Sequence, residues 1–137
     1  MVTSVFSHIG LVAKDPLKLE EFYIRFFEFK RTRVYAPGPD QVVMIKKGSM
    51  YLEIFKANEE RPDKAPTDAG PLYPCWRHIC FAVNDLDAML KELENSARIT
   101  LGPADMSAFI PGMKVAWLAD PEGNIIEISQ GYVDEKP

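Results

Sequence analysis

Ser7-His8-Ile9-Gly10-Leu11-Val12-Ala13-Lys14-Asp15-Pro16, close to the start of the chain, has a counterpart in Arg77-His78-Ile79-Cys80-Phe81-Ala82-Val83-Asn84-Asp85. In both stretches a histidine opens a run of strand-forming residues that ends on an aspartate, and the chain has only 2 histidines. Aspartate suits a helix N-cap because its carboxylate accepts the unpaired N–H groups of the first turn; proline suits the next position because it has no N–H to leave unpaired. Beyond Asp15-Pro16, the residues Leu19, Phe22, Tyr23 and Phe26 recur at i, i+3, i+4 and i+7, which gives one apolar helix face. Beyond Asp85, the residues Leu86, Met89, Leu90 and Leu93 do the same in a helix reaching Glu94. Each stretch therefore reads as a strand followed by a capped helix, with the first strand spanning Val5 to Ala13 and its counterpart Arg77 to Val83.

Three shorter segments follow in each half. In the first they lie near Lys30 to Tyr35, Gln41 to Lys47 and Met50 to Lys56, separated by turn signals at Pro37-Gly38-Pro39-Asp40 and Gly48-Ser49. In the second they lie near Ile99, Lys114 to Ala119 and Asn124 to Ser129. The predicted fold class is α+β, two tandem βαβββ modules in a single domain over residues 1–137, with module 1 at about 4–57, a linker at about 58–75 and module 2 at about 76–131. The linker, rich in proline and charge and without periodicity, reads as a connection or flap. The stretch Met106 to Met113 reads either as a loop over a substrate or as a hairpin connection.

A carboxylate interrupts a short apolar run in each half, in Tyr51-Leu52-Glu53-Ile54-Phe55 and in Ile125-Ile126-Glu127-Ile128-Ser129. Successive strand residues point to opposite faces. His8 thus shares a face with Gly10 and Val12, and His78 with Cys80 and Ala82, so small residues leave room for a ligand beside each histidine. Glu53 goes with Tyr51 and Phe55, and Glu127 with Ile125 and Ser129, while the aliphatic residues between them turn the other way. Acids on edge strands that guard against aggregation would be the plain alternative, but that explains neither the pairing with histidine nor its repetition. His8, Glu53, His78 and Glu127 are the predicted ligands of one divalent metal. Two imidazoles and two carboxylates suit Zn, Ni, Co, Mn or Fe(II) alike. Tyr51, Phe55, Met44, Trp117 and Met113 are candidate pocket walls or plain core. Cys80 reads as a small packing residue and Lys114 as a solvated charge.

Composition narrows the function classes. A net charge of −4, with 16 Lys+Arg against 20 Asp+Glu, gives no basic surface for nucleic acid. No run approaches the roughly 20 apolar residues of a membrane helix, and Met1 to Phe6 lack the basic start of a leader, so a cytoplasmic protein is expected. Cys75 and Cys80 lack C-x-x-C spacing and read as free thiols.

Taken together, His8-Ile9-Gly10 before a capped helix, Phe22-Tyr23 within it, His78-Ile79, and Asp120-Pro121-Glu122-Gly123-Asn124-Ile125-Ile126-Glu127 resemble the vicinal oxygen chelate superfamily. That superfamily includes glyoxalase I, methylmalonyl-CoA epimerase, extradiol dioxygenases and the fosfomycin and bleomycin resistance proteins. The resemblance covers essentially the whole chain. It implies paired modules whose sheets curl around a metal, with His8, Glu53, His78 and Glu127 at the ligand positions, and a homodimer. A His/Glu/His/Glu set is similar to glyoxalase I, which implies a metal-dependent lyase or isomerase acting on a small molecule, an α-hydroxycarbonyl compound or thiol adduct, through an enediolate. Glu127 or Glu53 would then be the catalytic base. Glutathione-holding residues of glyoxalase I correspond to Val12 and Ala57 here, so the resemblance supports the metal chemistry more than glutathione recognition. The alternatives are an Fe(II) extradiol dioxygenase using His8, His78 and Glu127, a resistance-type ligand-binding protein, and a methylmalonyl-CoA epimerase-like isomerase.

Overall fold

A computed structural model describes residues 1–35, 38, 42–66 and 70–137. The chain divides into two compact units, Met1–Pro62 and Asp63–Pro137. Each repeats the order βαβββ, as the sequence predicts.

In the first unit, β1 (His8–Ala13) leads into α1 (Pro16–Phe27), then β2 (Lys30–Val34), β3 (Val43–Lys47) and β4 (Met50–Lys56). The sheet order is β1-β4-β3-β2, with β1 and β4 parallel and the other pairs antiparallel. Asp15 caps α1 by accepting the Lys18 N–H at 3.1 Å, and Pro16 opens the helix. The helix ends at Glu28, whose φ of 59° is left-handed. Leu19, Phe22, Tyr23 and Phe27 of α1, with Phe29, are buried together with Ala13, Val43, Ile45, Leu52 and Ile54 of the sheet. Phe26, expected on the inner face, is only half-buried; Phe27 is buried in the last turn. Glu20 is 3% exposed, and Arg31 grips its carboxylate with both Nε and Nη2 at 2.6 and 2.5 Å. The buried charge is thereby paired by a two-pronged donor.

In the second unit, β5 (Ile79–Ala82), α2 (Leu86–Leu93), β6 (Arg98–Asp105), β7 (Lys114–Ala119) and β8 (Ile125–Gln130) form a sheet of order β5-β8-β7-β6. Again the first and last strands are parallel neighbours. Asp85 caps α2 through the Ala88 N–H at 3.0 Å. Leu86 and Leu93 are buried with Phe81, Ala116, Leu118, Ile126 and Ile128. Burial of such a side chain contributes about 1.5–3 kcal/mol, so one apolar helix face on one sheet face is the main stabilising contact in each unit. Residues 106–113 join neighbouring antiparallel strands, closed by Met106 N–H on Met113 O at 2.8 Å. They are a hairpin connection.

Several expected boundaries move. β1 starts at His8 rather than Val5, and β5 at Ile79, so His78 stands just before its strand. Of the turn at Pro37-Gly38-Pro39-Asp40 only Gly38 is described, with φ 115°, and Gln41, the expected start of a strand, lies outside the described residues. Within the connection at 58–75 the described residues carry neither helix nor strand, and residues 67–69 lie outside the description.

Candidate metal centre

Parallel pairing of β1 with β4 sets Gly10 opposite Glu53 and His8 opposite Tyr51. His8 therefore leans over the neighbouring strand, and its Nε2 lies 3.6 Å from Glu53 Oε1. On the other side of Glu53 the register partner is Met44. Ser7 Oγ sits 2.9 Å from His8 Nδ1. The imidazole proton can sit on either nitrogen: on Nε2 it faces the Glu53 carboxylate, and on Nδ1 it faces the Ser7 hydroxyl and leaves the Nε2 lone pair for a cation.

The second unit repeats the pair more tightly. His78 Nε2 lies 3.1 Å from Glu127 Oε2. The register partners of Glu127 are Cys80 on β5 and Trp117 on β7, the positions that Gly10 and Met44 occupy around Glu53. Trp117 Nε1–H donates to Glu127 Oε2 at 2.9 Å. Cys80 Sγ lies 3.6 Å from Glu127 Oε1 and 3.4 Å from Ser129 Oγ, and its one proton can serve one of them at a time. Burial pushes the Cys80 thiol above its ordinary pKa; the Ser129 hydroxyl opposes this and the Glu127 charge reinforces it. His78 Nδ1 is buried and has no hydrogen-bond partner among the described residues.

Each unit thus holds one imidazole Nε2 beside one carboxylate on the sheet face away from its helix. His8 is brought to Glu53, and His78 to Glu127. Among the described residues no group of three or more His, Cys, Asp or Glu side chains is placed to hold one ion. The donors present fit a divalent metal in kind: two imidazole nitrogens, each beside a carboxylate oxygen.

The local sequence explains how Glu127 is placed. Asp120 is 5% exposed, and its Oδ1 accepts Glu122 N–H and Asn124 N–H at 2.9 Å each while Oδ2 accepts Asn124 Nδ2–H at 2.8 Å. Gly123 closes this turn with φ 83°, and a Cβ there would come within 2.7 Å of Ala65 Cβ. The turn sets β7 against β8 so that Trp117 meets Glu127. Trp117 as a donor to Glu127 escapes a parity argument, which gives faces but not partners; the two residues are equidistant from the turn centre, and that signal would have found it.

The remaining candidates sort plainly. Met44, Tyr51 and Phe55 share the face of Glu53 by register, with Phe55 37% exposed. Met113 lines a cleft of about 380 Å³ with Asp87, Asp105, Ser107 and Lys114, walled by neither His78 nor Glu127. Lys114, expected to be a solvated charge, is paired with Asp87 at 2.8 Å, which raises its pKa. Cys75 and Cys80 are both free thiols. No helix among the described residues is long and apolar enough to cross a membrane.

Among solved structures, the protein SMU.1112c is 28% identical over 92% of this chain and 98% of its own, with a TM-score of 0.65. A glyoxalase family protein from Enterococcus faecalis is 23% identical over 94% and 99%, with a TM-score of 0.65. A mutant of the fosfomycin resistance protein FosX from Listeria monocytogenes, complexed with Mn(II) and 1S,2S-dihydroxypropylphosphonic acid, is 14% identical over 96% and 94%, with a TM-score of 0.70; the last two likenesses are of fold. No curated protein matches the chain. The sequence profile of the Glyoxalase/Bleomycin resistance protein/Dioxygenase superfamily matches residues 5–128, and with the twice-repeated βαβββ unit this chain belongs to that superfamily.

Proposed function

We propose that His8, Glu53, His78 and Glu127 together hold one divalent metal ion, and that the protein is a metal-dependent lyase or isomerase that moves a proton next to a carbonyl. One observation carries this reading: the same His Nε2 and Glu carboxylate face each other, at matching register positions, in both units. Chance placement of two histidines does not produce that twice. When bound, the ion supplies a positive charge that stabilises two vicinal substrate oxygens as negative charge develops on them. Glu127 or Glu53 takes the proton from one carbon and returns it to the next, a general-base role that contributes about 10² to 10⁴ in rate. Trp117 holds the Glu127 carboxylate in place, and Cys80 and Ser129 keep that face polar without supplying a thiolate. The substrate is a small α-hydroxycarbonyl compound or thiol adduct, and the active form is a homodimer. The presence of Glu53 favours this reading over a three-ligand dioxygenase.

The test is solvent deuterium incorporation beside the carbonyl, followed by NMR, in protein loaded with Ni(II) or Zn(II) and offered α-hydroxycarbonyl compounds and the methylglyoxal–glutathione hemithioacetal. Glu127→Gln is expected to lower turnover by at least about 10²-fold while retaining metal. Full activity in that variant, with metal confirmed, contradicts Glu127 as the base.

A further inference from the structure

We propose that the open face of the first sheet carries an oxyanion subsite built by Lys46 and Arg33, so that the substrate is an anionic compound, its carboxylate or phosphate-type group lying beside the His8/Glu53 pair. This rests on the metal-site reading for the role of that pair, but the subsite stands on observations of its own. Opposed residues on neighbouring strands share a face. In register, Gly10, Glu53, Met44 and Arg33 form one row across the sheet, and His8, Tyr51, Lys46 and Lys30 form the next. Arg31 is not part of this face, because it turns to Glu20 on the helix side and a register irregularity between Arg31 and Arg33 puts Arg33 opposite Met44.

Three cations therefore line β2 and β3 on the face that carries the candidate ligands, and Lys30 and Lys46 stand directly opposite each other. Like charges in that relation destabilise a sheet. Three other cations of this unit pair with acids, Lys14 with Glu60, Lys47 with Glu28 and Arg31 with Glu20. Among the described residues none of Lys30, Arg33 and Lys46 makes such an ion pair; Lys46 Nζ instead rests 5.0 Å over the Tyr51 ring. Protection of a sheet edge would account for Lys30 and Arg33 on edge strand β2. It does not account for Lys46, which is half-buried on the inner strand β3.

The second unit sharpens the point. Where Glu53 has Met44 and then Arg33, Glu127 has Trp117 and then Leu101; where Tyr51 faces Lys46, Ile125 faces Ala119. The His/Glu pair is repeated and these two cations are not, so they serve something other than the pair. Two strand spacings, about 10 Å, separate Glu53 from Arg33 across the row, with Met44 between them and Lys46 two residues along β3 from Met44 on the same face. A compound a few bonds long, with chelating oxygens at one end and an oxyanion at the other, matches that span.

The subsite is testable without metal. Amide shifts of EDTA-treated protein, followed by NMR during separate titrations with inorganic phosphate and acetate, are expected to move saturably at Lys30–Val34 and Val43–Lys47. Affinity should fall about 10-fold or more in Lys46→Ala and in Arg33→Ala, hold in Lys46→Arg, and stay within about twofold in Lys18→Ala, which removes an exposed cation from α1, each lost charge-assisted bond being worth roughly a factor of ten. Tighter phosphate binding identifies a phosphate-type group, and tighter acetate binding a carboxylate. Absence of saturable shifts for both anions, indifference to Lys46→Ala and Arg33→Ala, or an equal loss in Lys18→Ala overturns the subsite. Because no metal is present, a failure of the metal reading leaves this result intact.

Discussion

Glu53 and Glu127 hold equivalent places in the repeat but have unlike neighbours. Glu127 accepts from Trp117 Nε1–H and lies near the Cys80 thiol, whereas the same positions around Glu53 are Met44 and Gly10, which bring no side-chain donor. The first carboxylate is thus left to its histidine and the second is oriented by its surroundings. Cys80 shares in this, and its chemistry follows from where it sits. Burial raises its pKa, so the thiolate that reacts with electrophiles becomes abundant only above the usual thiol range of about 8.5. Both cysteines are exposed, so at pH 8 iodoacetamide is expected to alkylate Cys75 before Cys80 because of the raised Cys80 pKa, with Cys80 catching up as the pH rises past that range. Peptide mass spectrometry over a time course checks the order, and equal rates at pH 8 contradict it.

The turn from Asp120 to Asn124 is the element on which the second pair depends. One buried carboxylate gathers three N–H donors there and fixes the register that brings Trp117 and Glu127 together. Asp120→Ala is expected to destabilise the protein by about 3 kcal/mol, roughly two charge-assisted hydrogen bonds once water replaces part of the loss. Urea unfolding measures it, and a change below about 1 kcal/mol would show that the turn holds without the carboxylate. Much of this was legible beforehand: Asp15-Pro16 and Asp85 mark the helix starts, and the alternation around Glu53 and Glu127 marks their faces. What escaped was pairwise. The contact of Trp117 with Glu127, the placing of Lys46 and Arg33 on one sheet face, and the ion pair of Lys114 with Asp87 all depend on which strand or helix lies alongside, and periodicity within one segment carries no such information. His78 likewise reads as a strand residue by its alternation, yet pairing begins one residue later, at Ile79.

Duplication of a βαβββ unit gives the chain two similar sheets, each with a helix on one face and a His/Glu pair on the other. One such pair offers a divalent ion two ligands, fewer than the four of a usual zinc site, whereas two pairs offer four. On the proposed reading, repetition supplies the second imidazole and carboxylate that one ion needs, while the residues around each pair differ between the halves. Native mass spectrometry of the protein after loading with Zn(II), Ni(II) or Mn(II) tests this most directly, because it counts chains and ions in one spectrum. The account predicts a dimer of the 15.5 kDa chain with one ion per chain, and loss of that ion in His8→Ala and His78→Ala alike. Retention of the full complement of metal in either variant, or no bound metal in the unaltered protein, would contradict a site shared by His8, Glu53, His78 and Glu127.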